Sequence, residues 1–237
     1  MDISKVRAIL FDLDGTLYYQ PPLRILMGLE LSALPLTMGS LAKTRSVLKV
    51  IKQFRSTREE LRHLGNPSEW LDEIQYQQAA NGVGFKAEEV KRIIEEWMYH
   101  RPLKYLKWCR RMGAVSFFTE AQRRGIQIGV FSDYPAQEKL EALELESFVQ
   151  LVLCATDKEI NAFKPHPRGF LRACECWGLG PHEVLYVGDR PEVDGKGALA
   201  AGMPYMIVGG TFQHPSRDPL SGDNISSLRG LQQLLSS

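Results

Sequence analysis

Apolar residues along this chain follow two different spacings, and the spacing changes twice. Val6 to Phe11 is a mostly apolar run that stops at Asp12-Leu13-Asp14-Gly15-Thr16-Leu17. It reads as a buried strand, taken here to begin at Met1, that leaves the sheet in a Gly-Thr turn. Gln20-Pro21-Pro22-Leu23 is expected to interrupt regular structure, because proline has no backbone donor. From about Arg24 to Cys109 the spacing is helical. Val47, Val50, Ile51 and Phe54 recur at i, i+3, i+4 and i+7. Asn66, Pro67 and Glu69 predict a capped helix start, with Trp70, Leu71 and Ile74 on its apolar face. Asn81 to Gly84 is a break, and Val90, Ile93, Ile94, Trp97 and Met98 mark a further helix that stops before Pro102.

After Met112-Gly113 strands and helices alternate. Ala114 to Arg124 is helical up to Gly125, and Ile126 to Phe131 is a strand finishing at Ser132-Asp133. Pro135 to Leu143 predicts a helix, Val149 to Ala155 a strand, and Arg168 to Trp177 a helix after the loop Lys164-Pro165-His166-Pro167. Val184 to Val187 is a strand ending at Gly188-Asp189, followed by a helix over Pro191 to Ala201 and a last strand, Tyr205 to Val208. This alternation predicts an α/β fold: a Rossmann-like parallel sheet core with helices on both faces. The core is split in sequence into residues 1–17 and 110–237, with 18–109 inserted as an all-helical cap. An insertion directly after the first strand belongs over that strand's carboxyl end, where open parallel sheets bind ligands.

Composition narrows the function classes. Of 237 residues, 44% are hydrophobic and 24% charged, which suits a globular chain with a sizeable core. A formal net charge of +1 offers no bulk attraction for nucleic acid or acidic membranes. No apolar run is long enough to span a membrane and no signal-like start is present, so the expected compartment is the cytoplasm. Cys109, Cys154, Cys174 and Cys176 have no zinc-site spacing and are expected to be reduced structural thiols.

The chemistry sits at the predicted strand ends. Asp12 and Asp14 follow the first strand, Ser132 and Asp133 the second, Lys164 a later loop, and Asp189 and Asp194 the strand at Val184. Each has a plainer use by itself: a turn, a helix cap or a solvated lysine. Together they gather carboxylates that repel unless a cation lies among them. Oxygen ligands without nearby His or Cys suit Mg²⁺, an ion that works with substrate phosphates. Asp12 can then attack phosphorus and Asp14 move protons. Ser132 and backbone N–H groups around Asp133 can bind phosphate oxygens while Lys164 adds positive charge. Asp189 completes the metal site, with Asp194 bound through water or orienting the ligands.

These segments resemble the haloacid dehalogenase-like superfamily. The resemblance lies in Asp12-Leu13-Asp14-Gly15-Thr16-Leu17, the strand ending at Ser132, Lys164-Pro165-His166-Pro167, and Gly188-Asp189-Arg190-Pro191-Glu192-Val193-Asp194. The later Gly197-Ala198-Leu199-Ala200-Ala201-Gly202-Met203 also matches the family's usual helix and turn. It implies that Asp12 is the nucleophile and Asp14 the acid/base, whose backbone carbonyl also faces Mg²⁺. Asp12 and Asp189 would be direct ligands, and Ser132 and Lys164 would hold the phosphate. A helical cap between the first two motifs is similar to that of phosphoglycolate phosphatase-like enzymes. Asp14 points to phosphate chemistry, since dehalogenases of the superfamily lack that second aspartate. Arg190-Pro191-Glu192 departs from the small polar residues usual there, and predicts an altered loop.

The expected function is Mg²⁺-dependent hydrolysis of a small phosphate monoester. A phosphomutase and a non-catalytic binding protein are the alternatives. The expected partner is a small phosphorylated metabolite, and the chain is expected to act as a monomer or homodimer. Lys43, Arg45, Lys49, Lys52, Arg55, Arg58 and Arg62 crowd one stretch. Most are expected to form a solvated helix face, with one or two turned toward the site to meet a second anionic group of the substrate.

Overall fold

The structure is a computed structural model that describes residues 5–38, 41–65, 67–208, 228 and 230. Strands β1 (Ala8–Phe11), β2 (Gln127–Ser132), β3 (Leu151–Cys154), β4 (Val184–Gly188) and β5 (Tyr205–Ile207) form one parallel sheet in the order β3-β2-β1-β4-β5. The order reverses at β1, whose neighbours β2 and β4 lie on opposite sides. That reversal opens a crevice at the carboxyl end of β1.

Alternation along β1 explains the layers, because successive side chains leave a strand on opposite faces. Ile9 and Phe11 join one buried cluster with Phe117, Phe118 and Leu140, whereas Ala8 and Leu10 join another with Phe131, Phe170 and Tyr186. A third cluster, with Val50, Phe54, Tyr76, Val90 and Ile94 among its members, belongs to the helices between β1 and β2. These are α1 (Gln20–Met38), α2 (Leu41–Arg62), α3 (Leu71–Val83), α4 (Ala87–Ile94) and α5 (Leu103–Cys109). A π-helical turn, Glu95–His100, extends α4. The remaining helices are α6 (Ala114–Arg123), α7 (Gln137–Ala142), α8 (Arg168–Trp177) and α9 (Lys196–Ala200). No helix among the described residues is long and apolar enough to cross a membrane.

The two passages between sheet and inserted helices run side by side. Tyr18 and Arg110 form an antiparallel bridge, the Tyr19 N–H donates to Cys109 at 2.8 Å and the Arg111 N–H to Leu17 at 2.9 Å.

Two local expectations differ from the structure. Pro21 and Pro22 do not break the chain into a loop; they lie in the first turn of α1. The first N–H groups of a helix have no intrahelical acceptor, so proline sacrifices nothing there. The start expected around Asn66 falls on Leu71 instead, and Asn66 itself lies outside the described residues. Asn161, distant in sequence, supplies the cap. Its side-chain oxygen accepts from the Leu71 N–H at 2.8 Å, and its amide donates to Pro67 and Glu69 at 3.2 and 3.0 Å. The Trp70 indole also donates to the Thr156 carbonyl at 3.0 Å.

Candidate active site

Strand ends place the polar residues. The Asp12 N–H still pairs with Val187 at 2.8 Å, so this carboxylate is held in register with β4 as the chain leaves β1. Gly15 then turns with φ of 109°, a conformation glycine tolerates, and a Cβ there would lie 2.2 Å from an Asp189 oxygen. Arg111, buried, donates from its guanidinium to the Gly15 and Thr16 carbonyls and keeps this turn in place.

Lys164 is the hub. Its Nζ lies 2.6 Å from Asp12 Oδ1, 2.7 Å from Asp194 Oδ1 and 3.0 Å from the Tyr186 hydroxyl. Burial works against the ammonium, but Asp12 and Asp194 more than offset it and hold Lys164 well above the ordinary lysine range. Asp12 is pushed above the usual carboxylate range by burial, with Lys164 opposing and the neighbouring aspartates adding to the rise. Asp189 is raised to about 6, by burial first and then by Asp194. One oxygen from each of Asp12, Asp189 and Asp194 lies within 4.8 Å of the others.

The donor set fits a hard cation. All the candidate ligand atoms are carboxylate oxygens, and Asp189 Oδ1 is buried without a hydrogen-bond partner. The members of the cluster are not equivalent. Asp194 already accepts from Lys164 and Tyr186 on one oxygen, and from the N–H groups of Asp189 at 3.2 Å and Arg190 at 3.0 Å on the other. Four donors occupy it, so its geometry is that of an orienting group. The Arg190-Pro191-Glu192 segment opens a π-helical turn, Pro191–Gly195, that carries Asp194 into this position.

Asp14 points elsewhere. Its carboxylate meets Lys139 Nζ at 2.6 Å, the Tyr18 hydroxyl, and Ser132 Oγ at 3.4 Å, outside the acidic cluster. Burial would raise it, yet Lys139 and the Tyr18 hydroxyl hold it below the usual carboxylate range. The Asp14 carbonyl, expected to face the ion, accepts from Gln20 Nε2 at 2.5 Å. Asp133 lines the cavity, but its carboxylate is an acceptor already engaged by Arg62 and offers no donor to a phosphate oxygen. It pairs with Arg62 at 2.8 Å and accepts from the Lys164 N–H at 3.2 Å.

Sequence reasoning missed Lys139, Tyr18, Tyr186 and Arg111. Tyr18 carried a weak signal, a tyrosine four residues after Asp14, whereas Lys139 is marked only by its burial in the fold on the helix after β2. Of the seven basic residues on α2, Lys43, Arg45, Lys49, Lys52 and Arg55 are exposed, as a solvated face requires. Arg58 departs from that expectation and is buried against Tyr134 and Phe163. Arg55 and Arg62 line a cavity of about 640 Å³ that opens from the aspartates toward the inserted helices.

Fold, strand-end carboxylates and buried lysine together are those of an α/β hydrolase. Residues 6–202 match the family described as haloacid dehalogenase-like hydrolase, and the chain belongs to it. Similar curated proteins include a glyceraldehyde 3-phosphate phosphatase of Methanopyrus kandleri, 25% identical over 93% of this chain and 91% of its own length. A phosphoglycolate phosphatase of Escherichia coli is 27% identical over 84% of this chain and 79% of its own. A phosphoserine phosphatase of Thermus thermophilus is 35% identical, over 40% of this chain and 39% of its own. The enzyme class that family and relatives define is phosphoric monoester hydrolase. Among solved structures, a phosphatase from Thermococcus onnurineus superposes with a TM-score of 0.67 at 21% identity, covering 97% of this chain and 98% of its own. A 2-haloacid dehalogenase from Pseudomonas syringae gives 0.66 at 20%, covering 98% of each chain. Two reactions on one architecture mean that this likeness carries the fold alone.

Proposed function

We propose that this enzyme hydrolyses a small phosphate monoester through an aspartyl-phosphate on Asp12. The observation that carries the reading is the meeting of Lys164, Asp12, Asp189 and Asp194 at the carboxyl edge of β1, beside an unpartnered Asp189 oxygen. Asp12 and Asp189 would hold Mg²⁺, with Asp194 fixing Lys164 and the loop N–H groups around them. Bound there, Mg²⁺ would supply positive charge to the carboxylates and to the phosphoryl oxygens.

The chain's own groups divide the remaining work. Asp12 attacks phosphorus, and Lys164 balances the negative charge that collects beside it. Ser132 Oγ accepts from the Tyr134 N–H at 3.1 Å and donates to Asp14 Oδ2 at 3.4 Å, a long bond that its hydroxyl would exchange for one to a phosphate oxygen. As the ester P–O bond breaks, Asp14 in its protonated form gives its proton to the departing oxygen; left ionised beside Lys139, it takes a proton back from the water that hydrolyses the aspartyl-phosphate. Lys139→Met should remove the cation that keeps Asp14 ionised. The acidic limb of the kcat–pH profile is expected to move to higher pH, and a limb that stays in place would show that Lys139 does not govern Asp14.

Substrate size and charge are read from the cavity. Of the six cations lining it, Arg55 alone among the described residues has neither a hydrogen bond nor an acidic partner. It is the group free to meet a second anion on the substrate. Arg55→Ala is expected to raise KM about 10-fold for an ester with a second negative group and to leave kcat near wild type. Equal KM values for the two proteins would remove Arg55 from the binding site. The function itself is tested by phosphate release over phosphoglycolate, phosphoserine, sugar phosphates and nucleotides, with Mg²⁺ and with chelator. Silence across the panel with Mg²⁺ present refutes it.

A further inference from the structure

The cavity has two chemically different ends. Next to the aspartates its walls are charged, as described above. Toward the inserted helices they are largely apolar, with Arg24 and Arg55 set among Leu23 and Met27 on α1, Leu48 and Ile51 on α2, and Trp97 and Met98 on the π-helical turn. Among the six apolar side chains, only the Trp97 indole carries a conventional hydrogen-bonding group. Helix α2 alone displays the gradient. Arg62, Glu59, Arg55, Ile51 and Leu48 are spaced three and four apart, so they share one face, and all line the cavity. At about 1.5 Å per residue that face runs roughly 21 Å from the ion-paired end to the apolar end.

From this gradient we infer, resting on the phosphatase reading above, that the substrate is a phosphate monoester with an apolar organic group lying against α1, α2 and the π-helical turn. A polyhydroxylated leaving group would lose water from its hydroxyls against these six side chains and find partners only back toward Arg55 and the aspartate end. A hydrocarbon group loses nothing and covers side chains that folding left open to solvent, Leu48 at 50% exposure among them. Size agrees. About 640 Å³ lies within the roughly 300–1,000 Å³ that enclose a drug-sized ligand, and a two-carbon acid would fill little of it.

Ethyl, butyl and hexyl phosphate separate the apolar term from chemistry, because their leaving alcohols are alike and only chain length changes. Phosphate release should show kcat/KM rising by about 10-fold or more from ethyl to hexyl. Ethyl- and hexylphosphonate, which cannot be hydrolysed, give the same comparison by titration calorimetry without relying on turnover. In Leu48→Asp, a change at a half-exposed position, the hexyl-over-ethyl ratio should collapse toward one. Flat or falling series in both assays overturn the inference, as does a ratio unmoved by Leu48→Asp. Tighter hexylphosphonate binding with no ester hydrolysed would uphold the apolar site and refute the phosphatase reading alone.

Discussion

Asp12→Asn is expected to lower phosphate release by about 10³-fold or more with every ester that the wild type hydrolyses. Asparagine has the same shape and keeps an oxygen for Thr16 Oγ1, which donates to Asp12 Oδ2 at 3.1 Å. It has no carboxylate to attack phosphorus, so no aspartyl-phosphate can form. The fold should tolerate the change. Burial already works against the Asp12 charge, and Lys164 keeps a second carboxylate, Asp194, at 2.7 Å. The measurement is steady-state phosphate release, with thermal unfolding of the same preparation as the control. A folded variant that retains a tenth of wild-type turnover would show that Asp12 is not the nucleophile.

Arg58→Ala is expected to have the largest effect on stability. Arg58 is 2% exposed, with its guanidinium 4.1 Å from the Tyr134 ring centre and 4.2 Å from that of Phe163. It donates to the Gln75 side chain and to the Asp133 carbonyl, so it joins α2 to α3 and to the end of β2. Truncation leaves a cavity between two rings and two oxygens without their donor. Core truncations of this size cost about 3–5 kcal/mol. Removing a buried cation returns part of that, because the charge was itself unfavourable to bury. A net loss of about 3 kcal/mol, at roughly 2–4 °C per kcal/mol for a chain of this length, lowers Tm by about 6–12 °C. Arg58→Met, which restores volume without the donors, should recover part of the loss. A Tm within 2 °C of wild type for Arg58→Ala would mean that the sandwich contributes little.

Positions near strand ends were legible in the sequence because their signal is local. An apolar run that stops at a carboxylate marks the edge of a buried strand whatever lies beside it. Asp12, Asp14, Ser132 and Asp189 were located in this way, whereas Lys164 and Asp194 were located by the motifs around them, and the structure brings all six to one edge. The division of contacts among them was not legible. Asp14 lies two residues from Asp12, yet one carboxylate meets Lys164 and the other Lys139. That choice depends on which helix packs beside β1, a contact separated by 125 residues in the case of Lys139.

Arg58 shows the same limit on the cap side. In sequence it is one of seven basic residues on an amphipathic helix, and composition places such residues in water. Only the arrival of Tyr134 and Phe163 from two core loops makes burial of its charge tolerable. The start of α3 is a third example, since Asn161 caps it from a distant loop.

By itself, then, the sequence determined the alternation of strands and helices, the place of the helical insertion, and the residue types standing at the strand ends. These follow from the periodicity of apolar positions and from the geometry of a single chain segment. Tertiary structure decided which lysine meets which aspartate, that Asp194 is held by four donors while Asp189 keeps a bare oxygen, and that the cavity changes from charged to apolar along α2. These are relations between segments far apart in the chain. They are set by packing, and no local pattern encodes them.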